Sequence, residues 1–529
     1  MALGRGRLIE RREQLGRSSG EPSFDSDNTP LDAGVTSLVR ATLNTTSSTS
    51  LAIMATTAGQ RPTGAASVPA ADVNRRPPKS KLSKGPGNPG RRKIWLVIST
   101  YGPIVGKVTD VSGRKVAVFR GIPYAQEMNR NHRFEPSRRR VMPWKHTLKA
   151  FWDGPSCPQP RHPSGHPVFS TTSQSENCLY VNVWVPLCED GARECPRRTT
   201  VVYFHGGDLL RGSNSMPAYD GAALSGLGKV IVAVPNYRLG VFGFLNGKVK
   251  GMQPNLGLGD QYLALDWIRN NSEAFGGHPG DVVVYGHDSG AYSAGLPLFS
   301  PALKRLGVTK AILSGGSPII ATVFPSNGTK WEDFLKNVGC SHKFFDNTLQ
   351  CLRKASPEKL IAAQSLAPAS VGIVHPHTLL PRSPSEFLRL AQNLSGVQVL
   401  LTSTLPEGLD EVYSPVDDSV GRTGGAYPRM PERTLQDIDA ANTKPQLITL
   451  FKSPAGIRQP PAAPPPSSVG FQDVFFNCPS VLFAQRACEL GAEVFHVIIG
   501  QQPRFWKSAF HFKANSSYMG DVCRILKAI

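Results

Sequence analysis

The sequence predicts an α/β protein: a central, mostly parallel sheet with helices on both faces. Three observations carry this. β-branched runs of strand length, TVVYF, VIVAVP and DVVVYGH, recur between Thr200 and His287. A segment with helical apolar spacing, QYLALDWIRNN, lies between the last two. The runs are apolar throughout and do not alternate with polar residues, so both faces of each strand need cover, which interspersed helices supply.

The elements follow in order. Residues 1–92 are rich in Ser, Thr, Gly, Pro and Arg without periodicity, and read as a disordered basic arm. The net charge of the 529-residue chain is +20. Residues 1–150 hold 26 Lys and Arg against 10 Asp and Glu, so most of the excess lies there. Such an arm could meet an anionic surface; the simpler expectation is a solvated tail. No aromatic residue interleaves the basic residues of 75–93, and nucleic acid is not an expected partner. From residue 93 the texture changes to one large domain. IWLVISTYGPIVGKV and GRKVAVFRGIPYA read as short strands punctuated by Gly and Pro.

A second low-complexity stretch, about 413–469, includes IRQPPAAPPPSS and reads as a Pro-rich surface insertion. FQDVFFNCPSVLFAQRACELGAEVFHVII then reads as a helix followed by a buried strand. The longest apolar stretch, Ile94–Gly106, is too short for a membrane span and contains Gly102 and Pro103, so no transmembrane segment is expected. MALGRGRLIERREQ lacks the apolar centre of a secretory leader. Nine cysteines include no CxxC pair, and neither a metal nor any other cofactor is expected. Several cysteines fall 7 to 21 positions apart, as local disulfide loops do. Sequons open at Asn44, Asn270, Asn327, Asn393 and Asn515. Together these lean towards the secretory pathway, with incomplete termini explaining the lack of a leader.

Specific blocks then appear in order: FRGIPYA with RFEP and PW, ENCLYVNVWVP, YFHGGD, NYRLGVFGFL, NLGLGDQYLALDWIRNN and AFGGHPGDVVVYG. In these the chain resembles type B carboxylesterases and cholinesterases from about Trp95 to Ile529. The resemblance implies the α/β-hydrolase fold. It also implies disulfides Cys157–Cys178 and Cys340–Cys351. Cys188 and Cys195 flank a short loop and could add a local bridge. The resemblance implies a partner for Cys478 in a C-terminal helix that this chain is expected to lack, which leaves Cys478 to Cys488, to Cys523, or free.

The family's chemistry needs a serine on a G-x-S-x-G turn, a histidine base and an acid. The matching pentapeptide is Gly286-His287-Asp288-Ser289-Gly290. An aspartate tolerates the left-handed turn of a nucleophile elbow but brings no hydroxyl. LLTSTLPEG places Glu407 at the acid position; NSSYMGDV places Met519 where the base belongs. Ser289 and His511 are the fallback nucleophile and base. An attacking Asp288 would still need a histidine to clear its covalent ester. The family's HGGG becomes His205-Gly206-Gly207-Asp208. The oxyanion-like donors would be the backbone N–H groups of Gly207, Asp208 and Ser289. Carboxylates at Asp208 and Asp288 about 5 Å apart would repel by roughly 3 kcal/mol at an effective dielectric near 20. Convergence of Asp208, Asp288 and Glu407 is expected to be met by protonation or solvent rather than by a cation. The loop from Cys157 to Cys178 contains no Trp, the residue that the resemblance would assign to a cationic choline head.

Three functions are weighed. The first resembles the non-catalytic cholinesterase-like adhesion proteins neuroligin, neurotactin, gliotactin and glutactin. It implies an extracellular or cell-surface protein with a protein partner, and homodimerisation if the missing C-terminal helix is not required. The second is a carboxylic ester hydrolase with a non-standard site. The third is a membrane-surface or nucleic-acid role for the basic arm. The first is the expected one.

Overall fold

A computed structural model describes residues 94–162, 167–188, 195–245, 247, 251–298, 305–319, 329–341, 348–367, 371–374, 377–390, 393–404 and 478–499. The arm 1–92, the Pro-rich stretch 413–469, and Glu407, His511 and Met519 lie outside the described residues. So do Asn44, Asn327 and Asn515.

The N-terminal strands form antiparallel ribbons: β1 (Ile94–Ser99), β2 (Gly102–Val111), β3 (Arg114–Pro123) and β5 (Tyr180–Pro186). The segment Ile94–Gly106 is thus a hairpin, bent at Gly102 (φ 116°). A two-residue strand β4 (Leu148–Lys149) pairs with β2 beside it. The remaining strands are β6 (Arg198–Phe204), β7 (Ile231–Pro235), β8 (Gly277–His287), β9 (Lys310–Ser314), β10 (Gln398–Thr404) and β11 (Glu493–Ile499). The sheet order is β1-β2-β3-β5-β7-β6-β8-β9-β10-β11, and every neighbouring pair from β7 to β11 is parallel. This is a mixed, mostly parallel sheet, as the continuous apolar runs require.

β6 lies between β7 and β8, so the chain winds one way after β6 and the other way later. That reversal opens a crevice at the carboxyl ends of β6 and β8, the usual place for a site in such sheets. On one side of the sheet Phe204, Val202, Leu265 and Trp267 are buried; on the other Trp184, Tyr203, Tyr219 and Tyr285 form a second cluster.

One expectation needs correcting. The helix Cys478–Glu489 is present, but the strand after it, β11, is not buried. It ends the sheet, pairs only with β10, and leaves Phe495 and Val497 exposed among the described residues. Its apolar residues resemble those of a core strand because composition alone does not say which strand stands last.

Arg238, after β7, grips Asp260 in the helix Leu256–Asn271. Its Nε and Nη2 donate to the two carboxylate oxygens at 2.7 and 2.8 Å, and Nη1 donates to Glu135 O at 2.7 Å. Both side chains are buried. Disulfides join Cys157–Cys178, Cys188–Cys195 and Cys340–Cys351; Cys488 is free and exposed. No helix among the described residues is long and apolar enough to cross a membrane. Asn270 and Asn393 are both exposed.

Candidate functional site

The elbow forms where β8 turns into the helix Ser289–Gly295. Asp288 holds φ 54° and ψ −126°, a conformation few L-residues adopt. Its N–H donates to Ser314 O on β9, and its carbonyl accepts from Ala291 N, so the surrounding backbone fixes the turn. The turn also needs glycine on either side. A Cβ on Gly290 would stand 2.1 Å from Phe204 O, and one on Gly286 would stand 2.2 Å from Gly290 O. The sequence keeps the elbow's backbone requirements while changing its side chain.

Facing the elbow is the turn after β6. Gly207, Asp208 and Leu209 all have positive φ, at 107°, 58° and 61°. Three such residues in succession turn their N–H groups inwards, across from Asp288 and Ser289. One oxygen of Asp288, Oδ2, accepts from Gly207 N at 2.8 Å and Asp208 N at 3.2 Å. Ser289 Oγ accepts from Leu209 N at 3.1 Å. The Asp288 carboxylate therefore sits in the oxyanion-like cradle of its own chain.

This changes the electrostatic expectation. Sequence reasoning placed a second negative charge against the donors' task; the structure makes that charge the donors' ligand. N–H groups bonded to a carboxylate oxygen are not open to another anion. The Ser289 hydroxyl accepts from the next N–H of the same turn, beside the two that Asp288 takes. Glu407, Met519 and His511, expected at the acid, base and fallback base positions, lie outside the described residues.

Behind the cradle lies a buried aromatic group that sequence reasoning missed. Tyr237 Oη donates to His205 O at 2.6 Å, and the two rings stack with centroids 4.4 Å apart. The Tyr219 ring also lies nearly parallel to that of His205, with centroids 6.0 Å apart. Burial raises the pKa of Tyr237 and Tyr219, and the Asp288 charge adds to it. The only signal in the sequence was the position of Tyr237 inside the family block NYRLGVFGFL; Tyr219 lies outside every such block.

Two histidines flank the site. Burial holds His205 down to about 4, with its hydrogen bond to Gly206 O opposing. Burial also holds His287 down to about 4, against the pull of Asp288. Both are neutral in the fold, while in an unfolded chain they titrate near 6.5. Below that pH the unfolded state binds protons that the folded state refuses. Stability is therefore full above about pH 6.5, falls as pH drops towards 4, and levels off below. For His205 alone the loss is about 3 kcal/mol. Urea unfolding at stepped pH checks this, with His205→Gln expected to flatten its share of the slope. A midpoint unchanged from pH 7 to pH 4.5 would contradict it.

Among the described residues no group of three or more His, Cys, Asp or Glu side chains is placed to hold a metal ion.

The sequence profile of the Carboxylesterase family matches residues 95–522. The chain belongs to the carboxylesterase family. Acetylcholinesterase of Bungarus fasciatus is 36% identical over 287 residues, 52% of this chain and 46% of that one. Para-nitrobenzyl esterase of Bacillus subtilis (strain 168) is 35% identical over 316 residues, 57% and 62% of the two chains. Cholinesterase of Mus musculus is 34% identical over 278 residues, 50% and 45%. This carboxylesterase-family chain thus spans about half the length of the curated relatives it matches. These relatives carry the names of enzymes, whereas the sequence resemblance reached further, to adhesion proteins. The coarse relationship, a carboxylesterase-family chain related to cholinesterases, is what they show.

Proposed function

We propose that this chain is a non-catalytic member of its family that acts by protein–protein contact outside the cell, in adhesion or surface recognition. One observation carries the loss of catalysis: Asp288 Oδ2 accepts from both Gly207 N and Asp208 N. An acyl-transfer site must offer those donors to the oxyanion of a substrate. Here they are engaged, and the residue engaging them stands where the attacking hydroxyl belongs. Three disulfides and the exposed sequon residues Asn270 and Asn393 support an oxidising, lumenal route. The partner is an extracellular protein, with a second copy of the chain as one form of it.

A second reading, a carboxylic ester hydrolase with a non-standard site, is favoured by the enzyme names of the relatives. The two separate experimentally. Non-adherent cells displaying the chain are mixed with each other and with cells that lack it, while purified protein is assayed on p-nitrophenyl acetate. Aggregation with hydrolysis at the buffer rate is expected. Ester turnover without aggregation would reverse the assignment.

A further inference from the structure

Six of the twelve exposed large apolar side chains among the described residues fall within residues 94–152: Ile94, Leu96, Ile98, Val141, Met142 and Trp152. The first three project from one face of β1, the strand that ends the sheet. Ile94 is paired in register with Lys107 on β2, and the Lys107 ammonium lies 3.9 Å from the centre of the Trp152 ring. Trp152 is therefore on the same face as Ile94. Val141 and Met142 belong to the segment docked at the hairpin's end, where Trp144 N donates to Tyr101 O at 2.7 Å and Arg140 lies over the Trp144 ring.

The same stretch is strongly basic. Residues 94–152 hold eleven Lys and Arg against three Asp and Glu; Arg120, Arg133, Arg138 and Arg139 are engaged in ion pairs, so the charge of this surface rests on the others, Lys145 and Lys149 among them. Lys145 and Lys149 are exposed between Met142 and Trp152, and residues 136–152 contain no acid. The sequence running into Ile94, residues 75–93, adds eight Lys and Arg and no acid.

We infer that this sheet edge is a docking surface for an anionic phospholipid bilayer. Charge complementarity selects an anionic partner, with each basic residue near such a surface adding to binding. The apolar residues select the bilayer among anions. Val141, Met142 and Trp152 gain from entering the headgroup region, where tryptophan is favoured, and a soluble polyanion offers them nothing comparable. The inference does not depend on the loss of hydrolysis.

The test mixes the full chain with vesicles of phosphatidylcholine alone and of phosphatidylcholine with phosphatidylserine, and measures co-flotation. Binding to the anionic vesicles and not to the neutral ones is expected. The double variant Lys145→Glu/Lys149→Glu is expected to weaken it about tenfold or more. The double variant Met142→Ser/Trp152→Ser is expected to weaken it comparably. Both pairs are exposed, so unfolding midpoints close to the parent's verify that the fold is kept. Absence of binding overturns the inference. Binding untouched by either pair overturns it too, because the arm alone would then be responsible. If the charge pair matters, the apolar pair does not, and heparin binds equally well, the surface serves a soluble polyanion instead.

Discussion

A fluorophosphonate ester incubated with the purified full-length chain is expected to leave Ser289 unlabelled, and p-nitrophenyl acetate to hydrolyse at the buffer rate. The reason is geometric. The Ser289 hydroxyl is bound to Leu209 N at 3.1 Å, to one side of the position that an attacking oxygen must occupy. The position itself holds Asp288, whose carboxylate already takes the Gly207 and Asp208 donors. Substituting Asp288→Ser frees the donors and places a hydroxyl at the elbow. That variant is expected to gain no more than the residual acceleration of a cradle without a working base, roughly a thousand- to ten-thousandfold over water. An assembled triad adds further acceleration of several powers of ten. Full esterase turnover in Asp288→Ser would show that a base, such as His511, stands in reach. Wild-type turnover that disappears in Asp288→Ala would make Asp288 the nucleophile. The second result ends the non-catalytic reading; the first would confine the lesion to Asp288.

The second large effect concerns stability. Asp260→Ala is expected to destabilise the fold by about 3–5 kcal/mol, because it strands the buried Arg238 guanidinium without its counter-charge. Arg238 keeps its bond to Glu135 O, which does not neutralise it. The double variant Arg238→Met/Asp260→Leu is expected to recover much of the loss, since an apolar pair of similar size carries no desolvation cost. Guanidinium unfolding, with the slope compared between variants, measures both. A loss below about 1 kcal/mol in Asp260→Ala would mean that water reaches the guanidinium and the pair is not a buried anchor.

Much of the fold was legible because strands and helices write their periods into the chain. The runs at 200–204, 231–235 and 281–287 are strands, and the spacing of 261–271 is helical, as the pattern of burial requires. The elbow was legible for a different reason: Gly286 and Gly290 are demanded by backbone contacts of 2.1–2.2 Å, so the motif marks a steric necessity. What the sequence did not disclose depends on where side chains point over long separations. The bond from Gly207 N to Asp288 Oδ2 joins residues 81 positions apart. Its direction follows from the Asp288 side-chain torsions and the positive φ values at 207–209, neither of which composition reports. The Arg238–Asp260 grip was hidden in the same way, inside blocks recognised only by their likeness to a family. The exposure of β11 was misread because an apolar run is the same string at the middle of a sheet and at its edge.

The occupied cradle also bears on how such a chain can change over generations. Open N–H groups in a crevice impose a debt on every descendant, since water or a ligand must satisfy them. With the Asp288 carboxylate in place the crevice is complete without any visitor. Selection then has a reason to keep the two elbow glycines and the turn at 207–209, which the resting fold itself requires. It has no comparable reason to keep an acid and a histidine base beside the elbow. A single aspartate that supplies its own ligand can thus separate the inheritance of a shape from the inheritance of a reaction.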